Sequence, residues 1–319
     1  MRSSGEVYGA IPRLESREVK TNCASPGLTE TTFRAQPSVA CILLNWNGWE
    51  DTVACLASLA KLNYRNFSIT VVDNGSSNDS VIRIRDAYPE ILLLETGRNL
   101  GFAGGNNVGI RHAMSQRVDY IWLLNNDTEP HPDALLELVN KAASNPRFGA
   151  VGSALMYAHD PSCVQAWGGG RINVWIGRSF HTLVPQDDGW FDYITAASVL
   201  IPRQALEDIG LLDEGFFLYW EDGDLSFRLR KKGWKLGVAA GSTVLHKEHA
   251  STGRNRRVID RYVIASGIRF LHKHSPAPWL SIPLFLTSRL WKRLLNGQFR
   301  RVGDIAGGIR DYLLAHFRN

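Results

Sequence analysis

The chain has 319 residues, 44% of them hydrophobic and 21% charged, an ordinary globular balance with room for one large α/β domain plus additions or two modest domains. Its formal net charge of +5 suits a phosphate-bearing substrate or an anionic membrane surface and is too small to argue for nucleic acid as a partner. The four cysteines, Cys23, Cys41, Cys55 and Cys163, form no C-x-x-C pair; Cys41 and Cys55 lie in apolar surroundings and read as buried thiols, which suits a reducing cytosol.

Residues 1–36 mix Arg, Ser, Glu, Thr and Pro without periodicity and read as a flexible leader with no signal-peptide core. No stretch approaches the roughly 20 apolar residues that span a bilayer, so membrane contact is expected from the cytoplasmic side, at the inner face of the cytoplasmic membrane. Order is expected from Ser38 to Leu44, an apolar run of the kind a doubly buried parallel strand needs. A helix follows over Trp49 to Ala60, with Val53, Leu56, Ala57 and Ala60 at helical spacing. Ile69 to Val72 is a second strand, Asp79 to Tyr88 a polar helix, Ile91 to Leu94 a third strand, Ala103 to Met114 a helix and Tyr120 to Leu124 a fourth strand. Strand and helix alternating over short connections predict an open, mostly parallel sheet with helices on both faces. Ligands of such sheets bind beyond the carboxyl ends of the strands. Asn45-Trp46-Asn47, Asp73-Asn74, Arg98-Asn99 and Asn125-Asn126-Asp127 each follow a strand directly, so four strand ends converge on one crevice.

Each polar cluster has a chemical and a plain reading. Asp73 in Asp-Asn-Gly-Ser can accept the N3–H of a uracil or thymine ring, or simply sit in a tight turn. The Gly-rich run Gly97 to Asn107, with Arg98, Asn99, Gly101 and Asn106, opens a helix whose amides suit a diphosphate; it lacks the Gly-Lys-Ser/Thr of a nucleotide-triphosphate loop. Asp127 can hold a divalent cation, Mg²⁺ or Mn²⁺, bridging two phosphates, or cap a helix beginning near Pro130. Glu221-Asp222-Gly223-Asp224 precedes an amphipathic helix. Asp224 and Arg228 are spaced to pair on its surface, leaving Glu221 and Asp222 at the helix start, where the dipole favours ionised carboxylates and one can take a hydroxyl proton. His246 follows a strand-like Ser242 to Leu245, with His249 close by in sequence, and is either a metal ligand or a structural histidine.

Taken in order, Val39 to Asn47, Val71 to Ser76, Asn99 to Asn107, Leu123 to Asp127, Glu221 to Arg228 and Val244-Leu245-His246 resemble family 2 glycosyltransferases over about residues 38–250, nearest the bacterial rhamnosyltransferase-like branch. The resemblance implies a GT-A fold, a Rossmann-like sheet with an acceptor half attached. It implies an inverting transfer from a nucleotide-sugar donor, dTDP-rhamnose or a UDP-sugar, to a glycan or lipid-linked acceptor in cell-surface polysaccharide synthesis. Asp222 matches the catalytic base; Asp73 the base-holding residue; Asn125 and Asp127 the ends of the D-x-D metal motif; and His246 a later metal ligand. Asn125 departs from that motif, leaving Asp127 as its one carboxylate. Asn45, Asp73, Arg98, Asn99, Gly101, Asn106 and Asn125 are the donor-side candidates, and Trp220 and Glu221 the acceptor-side ones.

The domain reading is a leader over 1–36, a glycosyltransferase domain over 37–255, with a nucleotide-sugar half to 130 and an acceptor half from 131, and a basic helical tail over 256–319. That tail mixes Trp279 to Leu295 with Arg289, Lys292 and Arg293, the composition of an interfacial helix or of one packed on its own domain. A sugar-1-phosphate nucleotidyltransferase should carry a Gly-rich basic loop after the first strand, where this chain has Asn45-Trp46-Asn47-Gly48. A non-catalytic sugar-binding or scaffold protein would not need Asp127, Asp222 and His246 together.

Overall fold

A computed structural model describes residues 36–247 and 256–316; the leader read over 1–36, apart from Gln36, lies outside them, as does Cys23. The elements alternate as β1 (Val39–Asn45), α1 (Trp49–Leu59), β2 (Phe67–Asp73), α2 (Ser80–Ala87), β3 (Leu92–Glu95), α3 (Gly101–Ser115) and β4 (Tyr120–Asn125). β3, β2, β1 and β4 lie side by side and all parallel, a layout that places their carboxyl ends along one rim.

The alternation of β1 shows why helices cover both faces. Val39, Cys41 and Leu43 enter one core with Cys55, Leu56 and Leu59 of α1. Ala40 and Ile42 enter a second core with Ala103, Ile110 and Ala113 of α3. The thiols of Cys41 and Cys55 are buried, and burial pushes both above the usual thiol range, Cys55 to about 12.

The second half is mixed. β5 (Thr128–Pro130), α4 (Ala134–Ala143), β6 (Phe148–Tyr157), β7 (Asp160–Trp167), β8 (Gly169–Asn173), β9 (Arg178–His181), β10 (Tyr193–Ile194), β11 (Ser198–Pro202), α5 (Arg203–Ile209), α6 (Glu221–Lys231) and β12 (Lys235–His246) follow. The main sheet of nine strands continues from β4 through β11, β6 and β12 to β5, with β7 on β6, while β10, β8 and β9 form a small antiparallel sheet. The sheet is therefore parallel in its first half and mixed beyond β4.

Three further helices, α7 (Arg256–His274), α8 (Pro278–Leu295) and α9 (Val302–His316), close the chain. They share a third core in which Ile268, Phe270, Leu271 and Phe285 meet Ile172 of β8, Tyr193 of β10 and Trp220. Among the described residues no helix is long and apolar enough to cross a membrane.

Candidate active site at the strand ends

The ends of β1 and β2 are tied by one network. Asn45 Nδ2 donates to Asp73 Oδ1 at 2.7 Å, and Thr52 Oγ1 on α1 donates to Asn45 Oδ1 at 2.9 Å. The Ser76 amide and hydroxyl donate to Asp73 at 2.9 and 2.6 Å. Asn126 Nδ2 reaches Thr52 Oγ1 at 2.9 Å, bringing in the end of β4. The β3 end joins through Asn74, whose Nδ2 donates to Asn99 Oδ1 at 3.1 Å and to the Gly101 carbonyl at 3.0 Å. The four clusters thus form one continuous polar rim, held in place by amide side chains rather than by ion pairs.

The Gly-rich run is not the open amide cradle that its composition suggests. The Leu100 amide donates to Asn74 Oδ1 (2.9 Å), Gly101 to Asn99 Oδ1 (2.8 Å) and Phe102 to the Phe217 carbonyl (2.6 Å). These first-turn donors are satisfied by protein and not left for a diphosphate. The glycines serve packing. A Cβ at Gly105 would lie 2.5 Å from Leu44 Cδ1 and one at Gly109 2.6 Å from Ile42 Cγ2, so α3 can lie close on β1 only without them. Asn106 Nδ2 donates to the Phe102 carbonyl at 3.0 Å inside α3, and Arg98 is exposed on the rim. Asn107, unmarked in the sequence reading, clamps the segment leading to α6: it donates to the Leu212 carbonyl (2.8 Å) and Glu214 (2.9 Å) and accepts from the Leu212 amide (3.1 Å).

Asp127 is not a helix cap. The chain runs on as β5, and α4 starts only at Ala134. β5 pairs antiparallel with β12, Thr128 opposite His246, and this register sets Asp127 Oδ1 3.3 Å from His246 Nε2. Asn125 Nδ2 lies 3.4 Å from the same nitrogen. Behind the ring, Nδ1 is 2.7 Å from Gln165 Oε1 on β7. That carbonyl oxygen accepts from an Nδ1–H, which leaves Nε2 as the nitrogen turned toward the Asp127 carboxylate. A carboxylate and an imidazole nitrogen 3.3 Å apart could hold a divalent cation between them. Carboxylate and imidazole are donors that suit Mn²⁺ or Mg²⁺, with further positions open to phosphate oxygens. Among the described residues no group of three His, Cys, Asp or Glu forms a complete metal cage. His249, read as a neighbour of His246, lies outside the described residues.

The start of α6 corrects a second expectation. Tyr219 and Trp220 both take left-handed backbone angles, φ 67° and 72°, a strained entry that turns Glu221 inward. Glu221 is 6% exposed and its Oε2 has no hydrogen bond among the described residues. Burial, then the neighbouring Asp222, pushes its carboxyl well above the usual range. Burial also raises Asp222, against the Gly223 amide, His181 and the Ala196 amide, which favour its charge. Desolvation outweighs the helix dipole here, so these carboxyls are raised rather than lowered.

Asp224 pairs with Arg228 at 2.7 Å as expected, but inside the protein and not on a helix surface: it is 0% exposed. Burial opposes its charge, and contacts from His274 (2.8 Å), Arg228 and Lys273 (2.6 Å) hold it well below the carboxylate range nonetheless. Trp220, 8% exposed, packs on Phe270 with ring centroids 4.8 Å apart. Displayed aromatic faces come instead from the small sheet and its turn, at Phe180 and Trp175. One turn lies against both chemical groups: the Asn125 amide donates to the Ala197 carbonyl at 2.9 Å, and the Ala196 amide favours the charged form of Asp222.

Comparison with known proteins follows the same lines. The N-acetylglucosaminyl-diphospho-decaprenol L-rhamnosyltransferase of Mycobacterium tuberculosis is 29% identical over 226 residues, covering 63% of this chain and 73% of the relative. The low-salt glycan biosynthesis hexosyltransferase Agl10 of Haloferax volcanii is 25% identical, covering 65% of this chain and 66% of that one. In structure, the mannosyltransferase PcManGT of Pyrobaculum calidifontis, solved with GDP-Man and Mn²⁺, superposes with a TM-score of 0.56 at 16% identity, over 88% of this chain and 76% of its own. GalNAc-T7, solved with UDP, GalNAc and Mn²⁺, gives 0.61 at 15% identity, over 75% and 48%. These likenesses establish the GT-A fold. The family described as Glycosyl transferase family 2 matches residues 41–210, more than half of the chain, and the protein belongs to that family.

Proposed function

We propose that the protein is an inverting, metal-dependent glycosyltransferase that moves L-rhamnose from dTDP-rhamnose to a glycan or lipid-linked acceptor in cell-surface polysaccharide synthesis, working at the inner face of the cytoplasmic membrane. The observation that carries this reading is the approach of Asp127 Oδ1 to His246 Nε2 at 3.3 Å, with Gln165 Oε1 behind the ring. The choice of sugar and the lipid-linked acceptor rest on the similarity to the mycobacterial rhamnosyltransferase.

On this reading Asp73 and Asn45 receive the nucleotide base, Asn99, Gly101 and Asn106 shape the donor side, and Arg98 offers its charge to the phosphates. Asp127 and His246 would hold Mn²⁺ or Mg²⁺, with Asn125 beside them on the donor side. A divalent ion there supplies positive charge for the departing diphosphate. Asp222 takes the proton of an acceptor hydroxyl as its oxygen attacks the anomeric carbon on the face opposite the diphosphate. The new C–O bond forms as the old one breaks, and the configuration inverts. A raised pKa makes Asp222 a stronger base, and Glu221 beside it keeps its own proton, so the pair does not place two charges in a buried site. Trp220 and Glu221 form the floor of the acceptor side, with Trp175 and Phe180 as stacking faces for sugar rings.

A thermal-shift panel of nucleotide sugars with Mn²⁺ tests the donor. dTDP-rhamnose should stabilise the protein most, and only with the metal. A larger shift with a UDP-hexose would replace the sugar while leaving the site assignment intact, and no shift with any nucleotide sugar would contradict the reading.

A further inference from the structure

Away from the strand ends, α7, α8 and the turn after α8 enclose a pocket of about 170 Å³. Four cations line it, Arg289, Lys292, Arg293 and Arg301, against one carboxylate, Asp260. Asp260 is already engaged: Arg301 Nε donates to it at 2.7 Å and Arg293 Nη2 lies 3.3 Å away. Arg293 is the unusual member. It is 7% exposed, and its Nη1 has no hydrogen-bond partner among the described residues. A buried guanidinium nitrogen without an acceptor is unfavourable by itself. Burial, followed by repulsion from Arg293, lowers the pKa of Arg289, so the positive charge is not balanced from within. The side-chain amides of Asn296 and Gln298 complete the lining.

We propose that this pocket binds a phosphate group, with Arg293 Nη1 and Arg289 as its principal donors and Lys292 closing the rim. Phosphate oxygens supply the missing acceptor and the missing negative charge together, and guanidinium forks suit their geometry. The lining positions alternate along the chain with Trp291, Leu295 and Phe299, which are 63%, 81% and 67% exposed. Aromatic and aliphatic side chains displayed beside a phosphate site fit a lipid headgroup, whose acyl chains they would meet. This site is separate from the transfer chemistry and does not rest on the reading of the donor crevice.

The test uses the full chain in EDTA, which keeps metal-assisted diphosphate binding at the donor crevice out of the signal. Inorganic phosphate is titrated by calorimetry, and flotation is compared on phosphatidylcholine vesicles with and without phosphatidic acid. The variants are R289Q/K292Q, R293Q and, as a charge-matched control at exposed positions, K61Q/R65Q. Wild type should bind phosphate and float with the phosphatidic acid vesicles. R289Q/K292Q should weaken both by at least about tenfold, the size of a lost charge-assisted contact, while K61Q/R65Q leaves both unchanged and donor hydrolysis with Mn²⁺ is the same in all three proteins. R293Q should behave like the double variant, and its melting temperature reports whether it folds. Phosphate binding without added flotation keeps the pocket and makes a soluble phosphate its ligand. No phosphate binding by wild type, or equal losses in the double variant and the control, overturns the proposal.

Discussion

Asn125 and Asp222 lie against successive residues of one turn, the Asn125 amide donating to the Ala197 carbonyl at 2.9 Å and the Ala196 amide favouring the charge of Asp222. The end of β4 and the start of α6 are far apart in sequence, so this turn fixes the spacing between the proposed metal-holding side and the proposed base. Near-attack geometry depends on such fixed spacing.

The paired carboxyls give the site a pH signature. Asp222 must be ionised to take a proton, so activity falls as pH drops through its raised pKa. The acid limb of kcat/KM should therefore lie above the ordinary carboxylate range. Because Glu221 beside it is neutral on this reading, Glu221→Gln should leave that limb in place. Stability follows the opposite course at Glu221. The folded state keeps this proton to a higher pH than the unfolded chain does, so the contribution is full below the unfolded pKa and is lost as pH rises through the folded one. Melting temperatures of wild type across pH should show that decline, and Glu221→Gln should flatten it.

Gln165 acts through His246. Gln165→Leu removes the acceptor that keeps the proton on Nδ1, and the Mn²⁺ concentration for half-maximal activity should rise about 10–100-fold. Turnover at saturating Mn²⁺ should recover most of the wild-type rate. An unchanged metal requirement would show that the ring orients itself without Gln165.

Asp224 anchors α6 to α7. Asp224→Asn leaves Arg228, Lys273 and His274 around a neutral group and should cost about 3–5 kcal/mol in urea unfolding. Because its folded pKa is depressed, the contribution is present above the unfolded carboxylate pKa and is lost only as pH falls through the lower folded value. Wild type should therefore keep this anchor into moderately acid solution.

Gly101 sits at φ +75°, and a Cβ there would come 2.3 Å from the Phe217 carbonyl oxygen. Gly101→Ala should destabilise by about 1–3 kcal/mol through backbone strain alone. It should also lower kcat/KM, since the Phe102 to Phe217 bond joins α3 to the segment that enters α6. Urea denaturation and steady-state kinetics separate the two effects.

The first half of the fold was legible because its information is local. Apolar runs such as Val39 to Leu44 and the polar residues that end them give strands, rim and crevice without reference to distant chain. The misreadings share one cause. The cap reading of Asp127, one of the two its sequence allows, falls only because β12, more than a hundred residues on, pairs with β5 and makes that stretch a strand. Glu221 and Asp222 look like ionised first-turn acids until residues brought close from β9 to β11 and the core built by α7 to α9 bury them. The glycines of α3 look like a phosphate loop because composition does not say which way a glycine faces, and here it faces Ile42 and Leu44. Gln165 carries no signal in the sequence. Its role exists only because β7, β6, β12 and β5 lie in that order.

The most direct test is the rate of sugar transfer from dTDP-rhamnose with Mn²⁺ by wild type and Asp222→Asn, measured on proteins of matched melting temperature. Loss of the general base should lower kcat by about 100- to 10,000-fold while donor binding is retained. Turnover by Asp222→Asn equal to wild type would contradict the assignment of the base and the mechanism built on it.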